Sequence, residues 1–147
     1  MKSFFEEGVY DEIISRVAQI DNHSKKLWGK MTAAQMLHHC QIPLNVILQK
    51  EDYNLKPNYI INLLFIKSMY NDKLWRKNMP TAPDFRVKDY KDLSTEKEHL
   101  LKLLNELNDQ RHRTDWHNHP SFGKLTKEQW GKMQYKHLDH HLRQFGV

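Results

Sequence analysis

Three stretches of this chain carry a Thr followed three residues later by Gln or Glu, and each runs on into an apolar helical period. They are Thr32-Ala-Ala-Gln35, Thr95-Glu-Lys-Glu98 and Thr126-Lys-Glu-Gln129. In such a capping box the Thr hydroxyl accepts from the N3 amide, while the Gln or Glu side chain accepts from the cap amide. Two of the N–H groups that a helix start leaves unpaired are thereby satisfied. The periods that follow agree. Met36, Leu37, Cys40, Leu44, Ile47 and Leu48 share one helix face, and Leu100, Leu101, Leu104 and Leu107 share another,. Trp130, Met133, Leu138 and Phe145 form a third, and Val9, Ile13, Ile14, Val17 and Ile20 mark an earlier helix,. Long alternating strands are absent,. The chain therefore reads as all-α, in a single domain over residues 1–147,.

The second and third of these helices are far apart, with about 45 residues between them,. Pro57 to Tyr70 suits a further helix, and Asn71 to Asp92, with Pro80 and Pro83, reads as loop,. So long a connection implies a crossover or a lid rather than a tight antiparallel turn. Arg111 to Ser121 reads as a second loop. There is also an internal echo: Trp28-Gly-Lys-Met-Thr-Ala-Ala-Gln-Met36 parallels Phe122-Gly-Lys-Leu-Thr-Lys-Glu-Gln-Trp130. Either both are simply good helix starts, or the second and fourth helices enter a pseudo-symmetric bundle in similar ways.

Composition narrows the function classes. A chain of 147 residues buries roughly 70% of its unfolded surface and needs no covalent staples,. Its single cysteine, Cys40, excludes an internal disulfide and suits a reducing compartment,. The net charge of +5 is scattered, with no basic arm for nucleic acid,. The first ten residues carry acids where a signal peptide needs an apolar run,. The most apolar stretch, Tyr59 to Tyr70, is broken by Asn62, Lys67 and Ser68 and is too short to span a bilayer,. The expectation is a cytoplasmic protein whose partner is a small molecule, not a membrane or a nucleic acid.

Ten histidines raise the question of a metal site, and His137-Leu-Asp-His-His141 is the sharpest candidate. Imidazoles at i and i+4 project from one helix face and can grip one ion. Spacing alone is weak, since a shuffled chain of this composition yields about 0.7 such pairs,. Position adds more. At about 100° per residue from Trp130, His137 falls near about −20° and His141 near about +20°, on the core-facing stripe,. Buried imidazoles need partners, and a metal supplies one. A hydrogen-bonded core pair, or a helix turned to expose both, remains the alternative.

A further ligand would come from the second helix. There His39 flanks the stripe of Met36, Cys40 and Leu44, whereas His38 points nearly opposite and is expected to face solvent,. Cys40 suits a small core residue better than a thiolate ligand. His140, at the seam's edge, either orients a partner or is solvated. His119, before Pro120, is a rim residue or a turn element. Gln144 is either a pocket residue beside the ligands or a helix-end contact. His23, His99, His112 and His117 are assigned to the surface.

Gly29-Lys-Met-Thr-Ala-Ala-Gln-Met-Leu-His-His39, His119-Pro-Ser-Phe-Gly-Lys-Leu-Thr126 and Tyr135-Lys-His-Leu-Asp-His-His-Leu-Arg-Gln-Phe-Gly146 together resemble a DinB-like branch of uncharacterised function. The parent group is the DinB/YfiT-like metalloenzyme superfamily. The resemblance implies a DinB-type four-helix bundle with a long crossover between helices 2 and 3. It implies a three-histidine metal site with one ligand on the second helix, seven residues after its Ser or Thr cap, and two from an H-x-x-x-H step on the last. Carried over, these are His39, His137 and His141. The group includes thiol S-transferases, hydrolases and a mycothiol-dependent isomerase, so the resemblance leaves the reaction open.

Three neutral imidazoles leave an open coordination position, the pattern of a catalytic site. Zinc or nickel suits such ligands best. Two functions follow: a metal-dependent enzyme acting on a small molecule by hydrolysis or thiol transfer, or a non-catalytic bundle that binds a metal or ligand. A homodimer is compatible with a bundle of this kind.

Overall fold

A computed structural model describes residues 1–55, 59–81 and 85–147, with backbone alone for 59–64. Five helices follow in chain order: α1 (Val9–Ala18), α2 (Ala33–Ile47), α3 (Tyr59–Tyr70), α4 (Leu93–Asp109) and α5 (Lys127–Gln144). Among the described residues there is no strand, only an isolated bridge between His119 and Gly123. The chain is all-helical, and of the segment read as suited to a further helix, Pro57 to Tyr70, Tyr59–Tyr70 forms α3 while 57 and 58 lie outside the described residues. Among the described residues no helix is long and apolar enough to cross a membrane.

Two of the three capping boxes form as read. Thr32 Oγ1 accepts from Gln35 N at 3.2 Å while Gln35 Oε1 accepts from Thr32 N at 3.0 Å. Thr126 and Gln129 repeat the exchange at 3.2 and 2.9 Å. The third does not form. α4 begins at Leu93, and its cap is Asp92, whose Oδ1 accepts from Thr95 N at 2.9 Å and from Thr95 Oγ1 at 2.8 Å. Asp caps as well as Thr and adds a negative charge at the positive end of the helix. Thr95 thus becomes an N3 residue, and its hydroxyl donates to the cap instead of acting as one.

The core lies where α2 packs on α4 and α5, with α1 closing against α4 and α5 and α3 lying on α5. The apolar periods supply it: Ile13, Met36, Leu44, Leu104 and Trp130 are fully buried. Two polar devices fix α5 within this frame. Asp139 meets Arg16 of α1 at 3.0 Å. On another side the buried Lys136 donates its Nζ to Ser68 O at 2.7 Å and to Asn71 O and Oδ1 at 3.1 and 2.6 Å. These acceptors sit at the carboxyl end of α3, where a cation favours the helix dipole and satisfies free carbonyls. Trp75 Nε1 donates to the same Ser68 carbonyl at 2.8 Å, which brings the crossover back over α5.

Candidate metal centre

His39 stands seven residues beyond its Thr32 cap on α2, and His137 and His141 are one turn apart on α5,. The α2–α5 contact brings the three together. Ring centroids are 5.0 Å apart for His39–His137, and 4.7 Å for both His39–His141 and His137–His141. One ring nitrogen from each lies within 4.8 Å of the others. Pro43 inside α2 contributes locally: it lacks the N–H that would bond the His39 carbonyl one turn earlier,.

Hydrogen bonds at the outer nitrogens set the tautomers. His39 Nδ1 lies 3.0 Å from Phe85 O, and His141 Nδ1 lies 3.0 Å from Gln144 Oε1. Both acceptors are carbonyl oxygens, so each Nδ1 carries the proton and each Nε2 carries a lone pair. Gln144 is itself oriented, because its Nε2 donates to Trp28 O at 2.8 Å. The chain Trp28 O–Gln144–His141 therefore fixes one imidazole, and the Phe85 carbonyl fixes another, as outer partners do for metal-binding histidines.

The electrostatics favour neutral rings. His39 and His141 are only 4% and 7% exposed. Burial pushes the His141 pKa down to about 3, with the neighbouring His39 adding to the effect. Burial also lowers His39, and it holds His137 well below its ordinary value, together with repulsion from the other histidines. Neutral imidazole is the form that ligates a metal.

The spacing fits an ion as well. His39 Nε2 and His137 Nε2 are 3.1 Å apart. With Zn–N bonds of ~2.0–2.1 Å, ligand nitrogens stand ~2.9 Å apart on an octahedral edge and ~3.3 Å apart on a tetrahedral one. The observed separation falls between the two. These three buried histidines could hold a metal ion.

The structure sorts the remaining sequence candidates. Gln144 sits beside the cluster and anchors His141. His140 is half-buried, with its ring 5.1 Å from His141, 5.6 Å from Trp75 and 6.1 Å from Trp28. His119 has a different place: its Nδ1 accepts from Ser121 N and Phe122 N at 3.0 and 3.2 Å, and its ring packs on Phe122 and Trp130. It is a turn element rather than a rim residue of this cluster. Cys40 is buried core beside Met36, and burial pushes its thiol pKa up.

Two expectations are corrected. His38 does not simply face solvent, because Glu96 of α4 lies across from it and accepts from its Nδ1 at 2.9 Å. The same carboxylate accepts from Gln41 Nε2 at 2.7 Å, so the α2–α4 seam has a polar edge. His117 is half-buried against Trp130 and donates from Nε2 to Val46 O at 3.2 Å. Sequence reasoning missed the Phe85 and Trp28 carbonyls altogether, since a backbone acceptor has no residue-type signature. Gly29 does carry a signal. Its φ is 82°, and a Cβ there would stand 2.2 Å from Gln144 Nε2.

Beside the cluster opens a cleft of about 520 Å³, walled by His140, His141, Gln144, the Trp28–Met31 turn and the segments 78–81 and 85–88. His141 is the member of the cluster that reaches this wall.

Fold and site together define an all-helical protein with a buried three-histidine cluster able to take a metal ion. Over residues 5–146 the chain matches the family described as "Protein of unknown function (DUF1569)", and it belongs to that family. No curated protein and no solved structure matches it.

Proposed function

We propose that this protein is a metal-dependent enzyme of the DinB-like superfamily. On this reading α1, α2, α4 and α5 form the four-helix bundle of that group, and α3 rides in the crossover. His39, His137 and His141 are the ligands of a divalent ion, zinc or nickel, and the reaction is hydrolysis or thiol transfer on a small molecule. The carrying observation is the set of hydrogen bonds on the outer ring nitrogens of His39 and His141, which leaves both Nε2 lone pairs free within a cluster whose ring nitrogens lie within 4.8 Å of one another. A hydrogen-bonded core pair accounts for the His39–His137 contact but gives the Nε2 lone pair of His141 no donor among the described residues,.

When bound, such an ion lowers the pKa of a water or thiol and polarises a substrate oxygen. The chain does the rest. Phe85 O and Gln144 hold two imidazoles in place, and burial keeps all three rings neutral. The cleft at His141 supports a site open to a small molecule and speaks for the enzyme over a closed, non-catalytic bundle.

Elemental analysis of untagged protein tests the ligand set. Wild type is expected to carry close to one equivalent of zinc or nickel, and His137→Ala little. Unchanged metal content in His137→Ala would overturn the assignment. For the open position, cobalt(II)-loaded protein titrated with 2-mercaptoethanol should gain a thiolate-to-cobalt absorption band. A spectrum indifferent to thiol would leave the non-catalytic reading standing.

A further inference from the structure

The charge of the cleft walls is uneven. Lys30, Arg86 and Lys88 line it, and among the described residues no carboxylate does. None of the three cations is in an ion pair with a described residue. Asp89 and Glu51 line a smaller neighbouring cavity that Arg86 also borders, but Asp89 is engaged by Lys91 at 3.1 Å and neither carboxylate forms an ion pair with Arg86. A fourth cation, Lys77, rides 4.7 Å over the ring of Trp28, itself a lining residue.

Arg86 is held in a telling way. Its Nε donates to Thr81 O at 3.2 Å. That bond steadies the guanidinium plane while leaving the Nη groups uncommitted, and a free guanidinium edge suits a carboxylate or phosphate. The same strap runs directly into the metal centre, because Phe85, the preceding residue, supplies the carbonyl that orients His39. The apolar side chains Trp28, Met31, Met79 and Val87 line the cleft as well. Its volume of about 520 Å³ is in the range of small-molecule sites,.

We propose that this cleft binds a small anionic molecule, with its carboxylate or phosphate against Arg86, Lys30 and Lys88 and its apolar body against Trp28 and Met79. This assigns a ligand class to the proposed metal site and rests on that reading for its catalytic meaning. The anion binding itself stands on the cleft alone. Three cations around one concavity, none paired with a described carboxylate, raise the local concentration of anions and should make their capture fall with added salt.

Calorimetric titration with benzoate, phenyl phosphate and the neutral benzamide tests it, on zinc-loaded and on chelator-treated protein. At least one anion should bind ten-fold or more tighter than benzamide in both forms, and whichever is tighter identifies carboxylate or phosphate as the natural group. The variant K30Q/R86Q/K88Q should lose ten-fold or more in that affinity while keeping the wild-type metal content. The charge-matched control K102Q/R111Q/K124Q, on exposed residues away from the cleft, should bind as wild type does. Benzamide binding as tightly as the anions, or K30Q/R86Q/K88Q binding as well as the control, overturns the proposal. These outcomes are separable from those of the metal reading. Wild type without metal sinks the ligand assignment, yet chelator-treated protein still reports on the cleft.

Discussion

The same short motif opens both α2 and α5, and it does different work at each. At both places an aromatic-Gly-Lys-apolar-Thr run sets a glycine at positive φ, 82° at Gly29 and 72° at Gly123, ahead of a fully formed capping box. Locally the two are nearly interchangeable. Around Gly123 there is open space: a Cβ there would meet nothing within 4 Å. At Gly29 it would strike Gln144 Nε2, the atom that donates to Trp28 O while its partner oxygen steadies His141. One copy is a turn and the other is a turn that the histidine cluster leans on. Local sequence builds the motif, and the neighbour decides whether it carries function.

The largest expected effect separates the two glycines. Gly123→Ala forces a left-handed residue into open space, for about 1 kcal/mol. Gly29→Ala adds to that strain the displacement of Gln144, and with it two buried hydrogen bonds worth together ~1–3 kcal/mol. Urea unfolding should rank Gly29→Ala well below Gly123→Ala, and elemental analysis should find metal depleted in Gly29→Ala alone. Equal behaviour of the two variants would break the comparison.

Gln144→Leu sharpens it by leaving both glycines intact. The substitution keeps the side chain's bulk and removes its links to His141 Nδ1 and Trp28 O. Loss of such an outer partner typically lowers metal affinity by ~10–100-fold. Competition with a zinc chelator should read that drop, and an affinity equal to wild type would remove Gln144 from the site.

The smallest effect concerns the histidine beside the second motif. Burial lowers the His119 pKa from 6.5 to about 4. The unfolded chain therefore binds a proton below about pH 6.5 that the folded one refuses, so stability is full above that pH and falls as the pH drops toward 4,. His119→Asn keeps an oxygen able to accept from the turn amides and removes the titration. Its stability should decline less steeply than wild type between pH 6.5 and 4, measured by urea titration on chelator-treated protein. Identical slopes would mean that His119 is not buried as a neutral ring.

Much of the helical framework was legible because its signals are local. The boxes at Thr32 and Thr126 and the apolar periods behind them mark α2 and α5 within a residue or so. The box at Thr95 misled by three residues, because Asp92 offers an equally good cap one turn earlier and the helix takes it. For the cluster, helical geometry put His137 and His141 on an inward stripe and His39 on the flank of another, and the fold brings their nitrogens within 4.8 Å of one another. Sequence geometry failed at His38, where the pattern of α2 alone could not anticipate a carboxylate arriving from α4.

The sequence by itself determined most of the helices and the faces they bury, and it turned His137 and His141 inward, because caps and periodicity depend on residues three or four positions apart. The tertiary structure alone decided what those histidines meet. The Phe85 carbonyl reaches His39 from 46 residues away, and Gln144 joins His141 to a backbone oxygen 116 residues distant. Backbone carbonyls are chemically identical at every position. Only the packing of the crossover strap and the α2 turn against α5 selects two of them to fix the tautomers, and only that packing leaves a basic cleft beside His141.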